Sequence, residues 1–182
     1  MRIFGRADGF LLRKIMEFVM ERYVLSVLVE NHAGVLSRVS GLFSRRGYNI
    51  DSLTVCETYN PGQSRMTIVV QGDEYTLEQI QKQLSNLVEV ISITHCKKED
   101  TCEREMALIK VNASGSDRAV IIETCNIYRA HIVDVAPNSV IVEATGSEDK
   151  LSSLIRLLEP YGIKELVKTG LTAMGRGEEV MA

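Results

Sequence analysis

Residues 31–53 read NHAGVLSRVSGLFSRRGYNIDSL, and the order of elements they impose decides the fold. The apolar run Val24 to Val29 before them reads as a strand. Asn31 to Gly34 supply a turn. Val35 then opens a helix in which Leu36, Val39, Leu42 and Phe43 recur at helical spacing, so one stripe faces a core. Arg45, Arg46 and Gly47 form a stop signal, with cations in the last turn and a glycine beyond it. An extended pattern resumes at Tyr48.

Such a strand–turn–helix leaves the amides of Gly34, Val35 and Leu36 without helical acceptors, under the positive end of the helix dipole. Gly34 has no side chain to hold a ligand away from the backbone. Asn31 offers both a donor and an acceptor. A ligand carrying a carboxylate and an ammonium suits this corner. The residues alone leave a plainer reading open, in which Asn31 caps the turn, Gly34 serves backbone angles and Asn49 satisfies an edge.

Outward from this stretch, Tyr48 to Thr58 reads as a second strand, Asn60-Pro61-Gly62 as a turn, and Ser64 to Gln71 as a third strand. Leu77, Ile80, Leu84 and Leu87 mark a second helix, and Val88 to Cys96 a fourth strand. The order β-α-β-β-α-β is that of a ferredoxin-like sandwich. The charged stretch KKEDTCE at 97–103 reads as a linker.

The pattern then repeats. Met106 to Val111 is a strand and Asp117 to Arg129 a helix with Val120, Ile121, Ile127 and Tyr128 inward. Ala130 to Val135 and Ser139 to Ala144 form a hairpin. Ser147 caps a helix bearing Leu151, Leu154, Ile155 and Leu158, and Ile163 to Thr169 is the last strand. Here ASGS at 113–116 stands where the first copy has NHAG, and reads as capping rather than a second anion site. The fold class is therefore α+β, two tandem ferredoxin-like sandwiches. Its expected parts are an extension of unassigned role at 1–20, a first domain at 21–97, a linker at 98–104 and a second domain at 105–182.

Composition narrows the function classes. The chain has 182 residues, 45% hydrophobic and 25% charged, with a formal net charge of −3, so no global field favours nucleic acid or an acidic membrane. The strand cores Val24–Val29, Met66–Val70 and Met106–Val111 hold no aromatic residue for stacking RNA bases. In residues 1–20 the apolar run Phe10 to Leu12 is too short for a signal core or a membrane span. Cys56, Cys96, Cys102 and Cys125 form no C-x-x-C pair and only three histidines exist, so a zinc site is not expected. Reduced thiols in the cytoplasm are preferred to a Cys96–Cys102 bridge. No nucleophile, carboxylate pair or phosphate loop is legible, and His32 reads as a solvated loop side chain, so binding is favoured over catalysis.

The stretch 31–55, with SRMTIVV at 64–70, LEQIQKQL at 77–84, EREMALIKV at 103–111 and GRG at 175–177, resembles a known family. Its start is similar to an ACT domain, and more narrowly the chain resembles the small regulatory subunits of acetohydroxyacid (acetolactate) synthase, over roughly residues 21–182. The resemblance implies a non-catalytic subunit that activates a larger catalytic subunit and makes it sensitive to valine in branched-chain amino acid biosynthesis. Thiamine diphosphate, magnesium and FAD are then expected in the catalytic partner and no cofactor here. It implies a homodimer paired through the ACT domain along the edge strand 48–58. Valine would sit against Asn31, Gly34, Val35 and Leu36 of one chain and Asn49 and Ile50 of the other. A stand-alone amino-acid-sensing ACT protein, controlling another enzyme or transcription, is the alternative.

Overall fold

The structure, a computed structural model, describes residues 21–178 and 180–181, and the expected extension at 1–20 lies outside them. The described chain divides into two compact units, residues up to Thr101 with Gly175 onward, and Cys102–Met174.

In the first unit, β1 (Glu21–Glu30), α1 (Val35–Arg46), β2 (Ser52–Glu57), β3 (Gln63–Gly72), α2 (Glu74–Leu84) and β4 (Val90–Cys96) follow in order. The sheet is antiparallel, ordered β2-β3-β1-β4, so β2 lies at an edge. Alternation along β1 sends Tyr23, Leu25, Val27 and Val29 into a core with Val39, Leu42 and Phe43 of α1 and Leu77, Ile80 and Leu84 of α2. The helix stripe differs from its sequence reading at one place. Val35 is buried in the core, whereas Leu36 is 44% exposed at the start of α1. A helix turns about 100° per residue, so Val35 rather than Leu36 shares a face with Val39 and Leu42.

Helix α1 ends as its sequence requires. Gly47 is left-handed at φ 71° and bonds back to Phe43 and Ser44, and the Tyr48 amide donates to Phe43 O. Tyr48 to Asp51 is consequently a connecting segment rather than strand. Tyr48 and Ile50 pack on the core from there, and β2 begins at Ser52.

The second unit repeats the plan. It contains β5 (Thr101–Asn112), α3 (Asp117–Ile127), β6 (His131–Ala136), β7 (Ser139–Gly146), α4 (Glu148–Leu158), β8 (Ile163–Lys168) and β9 (Thr172–Gly175). The sheet order is β6-β7-β5-β8, with β9 also pairing β5. Ser147 caps α4 by accepting from the Lys150 amide. In α3 the inward residues are Ile121 and Cys125, while Val120 and Ile127 are exposed at 49% and 70%. Ile121, Cys125 and Tyr128 (i, i+4, i+7) make the stripe, and Val120 and Ile127 flank it.

Two expected boundaries differ. The segment 98–104 is not a free linker, because Thr101 folds its hydroxyl onto Lys97 O at 2.7 Å, closes a turn and starts β5. The polarity that suggested a linker belongs to the turn's exposed side chains. Residues 105–182 are not one unit either, since Gly175 onward returns to the first unit. Arg176 donates from its backbone to Asp100 O (2.8 Å) and from Nε to Thr101 O (3.1 Å), and Arg65 Nη2 donates to Met181 O (2.7 Å). Arg176 of the GRG motif is thus an anchor for a C-terminal strap.

His95 on β4 meets the Tyr23 ring edge-on, with centroids 5.4 Å apart. Burial first, and the Lys97 charge second, hold its pKa below 6.5. Below pH 6.5 the unfolded chain therefore binds a proton that the folded chain resists, so folding stability falls as pH falls through that range. His95→Gln is expected to flatten this part of the pH–stability curve, measured by urea unfolding from pH 7 downward.

Candidate functional site

Strand β1 ends at Glu30, and the Asn31 amide donates to Gly62 O (2.9 Å), tying the turn after β1 to the β2–β3 hairpin. The Asn31 side chain reinforces this. Its Nδ2 donates to Pro61 O at 2.9 Å and to Glu57 Oε2 at 3.3 Å. Both N–H donors of the amide are therefore committed inside the chain, and what Asn31 can still offer a ligand is its acceptor oxygen. This narrows the expectation of a donor and an acceptor to an acceptor alone.

Gly34 caps α1 with φ 94°, a left-handed conformation that a glycine adopts without cost. No side chain caps this helix. The Val35 amide has only a long 3.5 Å contact to His32 O, and the first full bond is Arg38 N to Gly34 O at 3.0 Å. Among the described residues, the Leu36 amide finds no backbone acceptor outside the helix. A side chain added at Gly34 would meet nothing within 4 Å. The corner is thus open, lined by backbone donors and the positive helix end.

Asn31, Gly34, Val35 and Leu36 are brought together in this turn. Val35, buried, contributes its amide, and Leu36, exposed, its side chain. Asn49 and Ile50 lie on the connecting segment before β2. Asn49 Nδ2 donates to Asp51 Oδ1 at 2.8 Å, and Ile50 packs partly against the core. Arg38 in the first turn of α1 pairs with Glu89, whose side chain is 9% exposed, and Glu89 O accepts from Glu30 N. This pins the helix start to the segment before β4. Sequence reasoning missed Glu57 and Glu89, which reach the corner only through sheet pairing or a distant loop, and with Glu89 the pairing role of Arg38.

The equivalent corner of the second unit is tied to its hairpin differently, although a side chain added at Gly115 would likewise meet nothing within 4 Å. Gly115 is again left-handed, but Ser116 makes no side-chain cap. Instead, Arg118 donates from Nε and Nη2 to Ala113 O and from Nη2 to Ala136 O (2.7 Å) and Pro137 O (2.6 Å). One unit ties its turn to its hairpin with a short amide and leaves space. The other does so with a guanidinium fork held by carbonyls of its turn and hairpin. Arg118→Met is expected to lower the stability of the second unit by about 1–3 kcal/mol, as carbonyls lose a charged donor, read from the midpoint of urea unfolding.

A groove of about 690 Å³ lies elsewhere in the first unit, lined by Thr94, His95, Lys97, Asp100, Arg176 and Glu178 among others. Its exposed charges have both signs and give a ligand no defined polarity. Among the described residues no group of three or more His, Cys, Asp or Glu is placed to hold a metal, and no helix is long and apolar enough to cross a membrane.

Two tandem ferredoxin-like sandwiches, the first with an uncapped strand–helix corner beside an edge strand, define an ACT-type protein. Residues 25–92 match the family profile described as AHAS small subunit-like ACT domain. Residues 104–177 match that of the small subunit of acetolactate synthase. The acetolactate synthase small subunit of Mycolicibacterium smegmatis is 51% identical over 155 residues, 85% of this chain and 91% of that one. That of Haemophilus influenzae is 46% identical over 159 residues, 87% and 98% of the two chains. The crystal structure of the acetolactate synthase small subunit from Thermotoga maritima has 42% sequence identity and a TM-score of 0.82, covering 87% of this chain and 99% of that chain. The chain belongs to the acetolactate synthase small-subunit family.

Proposed function

We propose that this chain associates with the catalytic large subunit of acetolactate synthase, raises its activity and makes it inhibitable by valine. Catalysis, with thiamine diphosphate, magnesium and FAD, then resides in the large subunit, and this chain supplies regulation from the cytoplasm. One observation carries the effector part, the uncapped start of α1 at an open corner beside the edge strand β2.

Two chains pair β2 to β2, which satisfies unpaired edge groups. The pairing brings the Asn31–Leu36 turn of one chain toward the Asn49–Ile50 segment of the other. Valine sits between them with its carboxylate on the amides of Gly34, Val35 and Leu36. Leu36 and Ile50 bound its side chain, a contact that distinguishes one methylene by only about 1–3 kcal/mol. A ligand bridging two chains favours one arrangement of the pair. Coupling of roughly 1–3 kcal/mol is typical and gives about 5–150-fold changes in apparent affinity.

The test is reconstitution with the purified large subunit and a valine titration of acetolactate formation. Activation on mixing, followed by saturable inhibition, is the expected result. A chain that neither co-purifies with the large subunit nor alters its activity contradicts it.

A further inference from the structure

Glu57 ends β2 on the face that Leu53 turns to the core, four residues on in a strand whose side chains alternate. Val55, 38% exposed, shares that face. The hairpin turn and Asn31 therefore hold an exposed carboxylate at the start of the turn that leads into α1. Glu57 Oε2 lies 3.3 Å from Asn31 Nδ2, whose other donor is held by Pro61 O. Glu30, the other carboxylate near the turn, lies 3.1 Å from His32 Nε2. Among the described residues no cation pairs with Glu57.

Resting on the effector reading above, we infer that Glu57 recognises the ammonium group of the effector and makes the site selective for an amino acid over a simple carboxylic acid. The two ends of the corner have opposite character. The start of α1 offers only donors and suits a carboxylate. Glu57 and the free oxygen of Asn31 offer only acceptors and suit an ammonium. A zwitterion satisfies both ends, and a carboxylate without an amine leaves the Glu57 charge without a partner. The hydrogen bond from Asn31 holds the carboxylate in place before the ligand arrives.

The experiment compares L-valine with 3-methylbutanoate, which has the same side chain and carboxylate but no amine. Each is titrated into the full chain by NMR, which reads weak binding as well as tight. The wild type is expected to prefer valine. Glu57→Gln should weaken valine by about tenfold or more, the loss of one charge-assisted hydrogen bond, and leave 3-methylbutanoate unchanged. The unchanged analogue also shows that the variant is folded. Valine bound equally well by wild type and Glu57→Gln, or both ligands weakened alike, overturns the role of Glu57 while the site stands. Valine that fails to bind the wild type, or still binds Gly34→Asp, overturns the site and Glu57 with it.

Discussion

Gly34→Asp is expected to abolish valine inhibition while leaving activation of the large subunit intact. At φ 94° an added side chain meets nothing within 4 Å, so it projects into the open corner rather than the core. The left-handed conformation costs a non-glycine residue about 1–2 kcal/mol, which a folded unit tolerates. The new carboxylate competes for the amides that the effector needs. Losing about two charge-assisted hydrogen bonds weakens valine by at least about 100-fold. Steady-state assays of the reconstituted synthase should show full activity across a valine range that inhibits the wild type. An inhibition curve superimposable on that of the wild type removes this corner from the regulatory scheme.

Val55→Pro is expected to separate the proposed β2–β2 dimer and remove valine sensitivity with it. The bond from Thr58 N to Gln63 O (2.9 Å) fixes the phase of the β2–β3 ladder. Residues 52, 54 and 56 then turn their amides toward β3, and Leu53, Val55 and Glu57 turn theirs to the free edge. Proline at 55 thus leaves the hairpin bonds in place and removes an outward donor, which edge strands tolerate. By two-fold symmetry a β2–β2 dimer loses two hydrogen bonds and gains two ring clashes, so its dissociation constant rises by at least about tenfold. Sedimentation velocity over a concentration series reads the change. A variant that stays dimeric at wild-type concentrations shows that the chains associate elsewhere.

The framework was legible because its signals are local. Turn residues at 31–34, the stop at Arg45-Arg46-Gly47 and the periodic apolar positions of both halves each specify an element within a few residues. Such signals order the strands, the turn and the helix start, whereas the edge position of β2 follows from the sheet order β2-β3-β1-β4. What escaped depends on contacts between distant positions. Arg118 looks like an ordinary first-turn cation, and its acceptors at 136 and 137 become neighbours only when the β6–β7 hairpin folds back. Glu57 reads as the polar end of a strand until the hairpin turn brings Asn31 to it. Arg176 lies about 75 residues from the turn it anchors, and a polar tail carries no sequence mark of a return to the first unit.

Divergence between the repeats follows from the same comparison. Both corners have a left-handed glycine at the turn and a bond from the turn to the hairpin. In the first copy the linking side chain is too short to cover the amides. In the second the link is Arg118, whose guanidinium is held by the carbonyls of Ala113, Ala136 and Pro137.

Amide chemical shifts followed during a valine titration of the uniformly ¹⁵N-labelled chain give the most direct test. Gly34, Val35 and Leu36 should move most, in a saturable way, with smaller shifts at Asn49 and Ile50 and none at Gly115. Shifts centred on the groove under the C-terminal strap or on the second unit, with Gly34 to Leu36 unmoved, would contradict it.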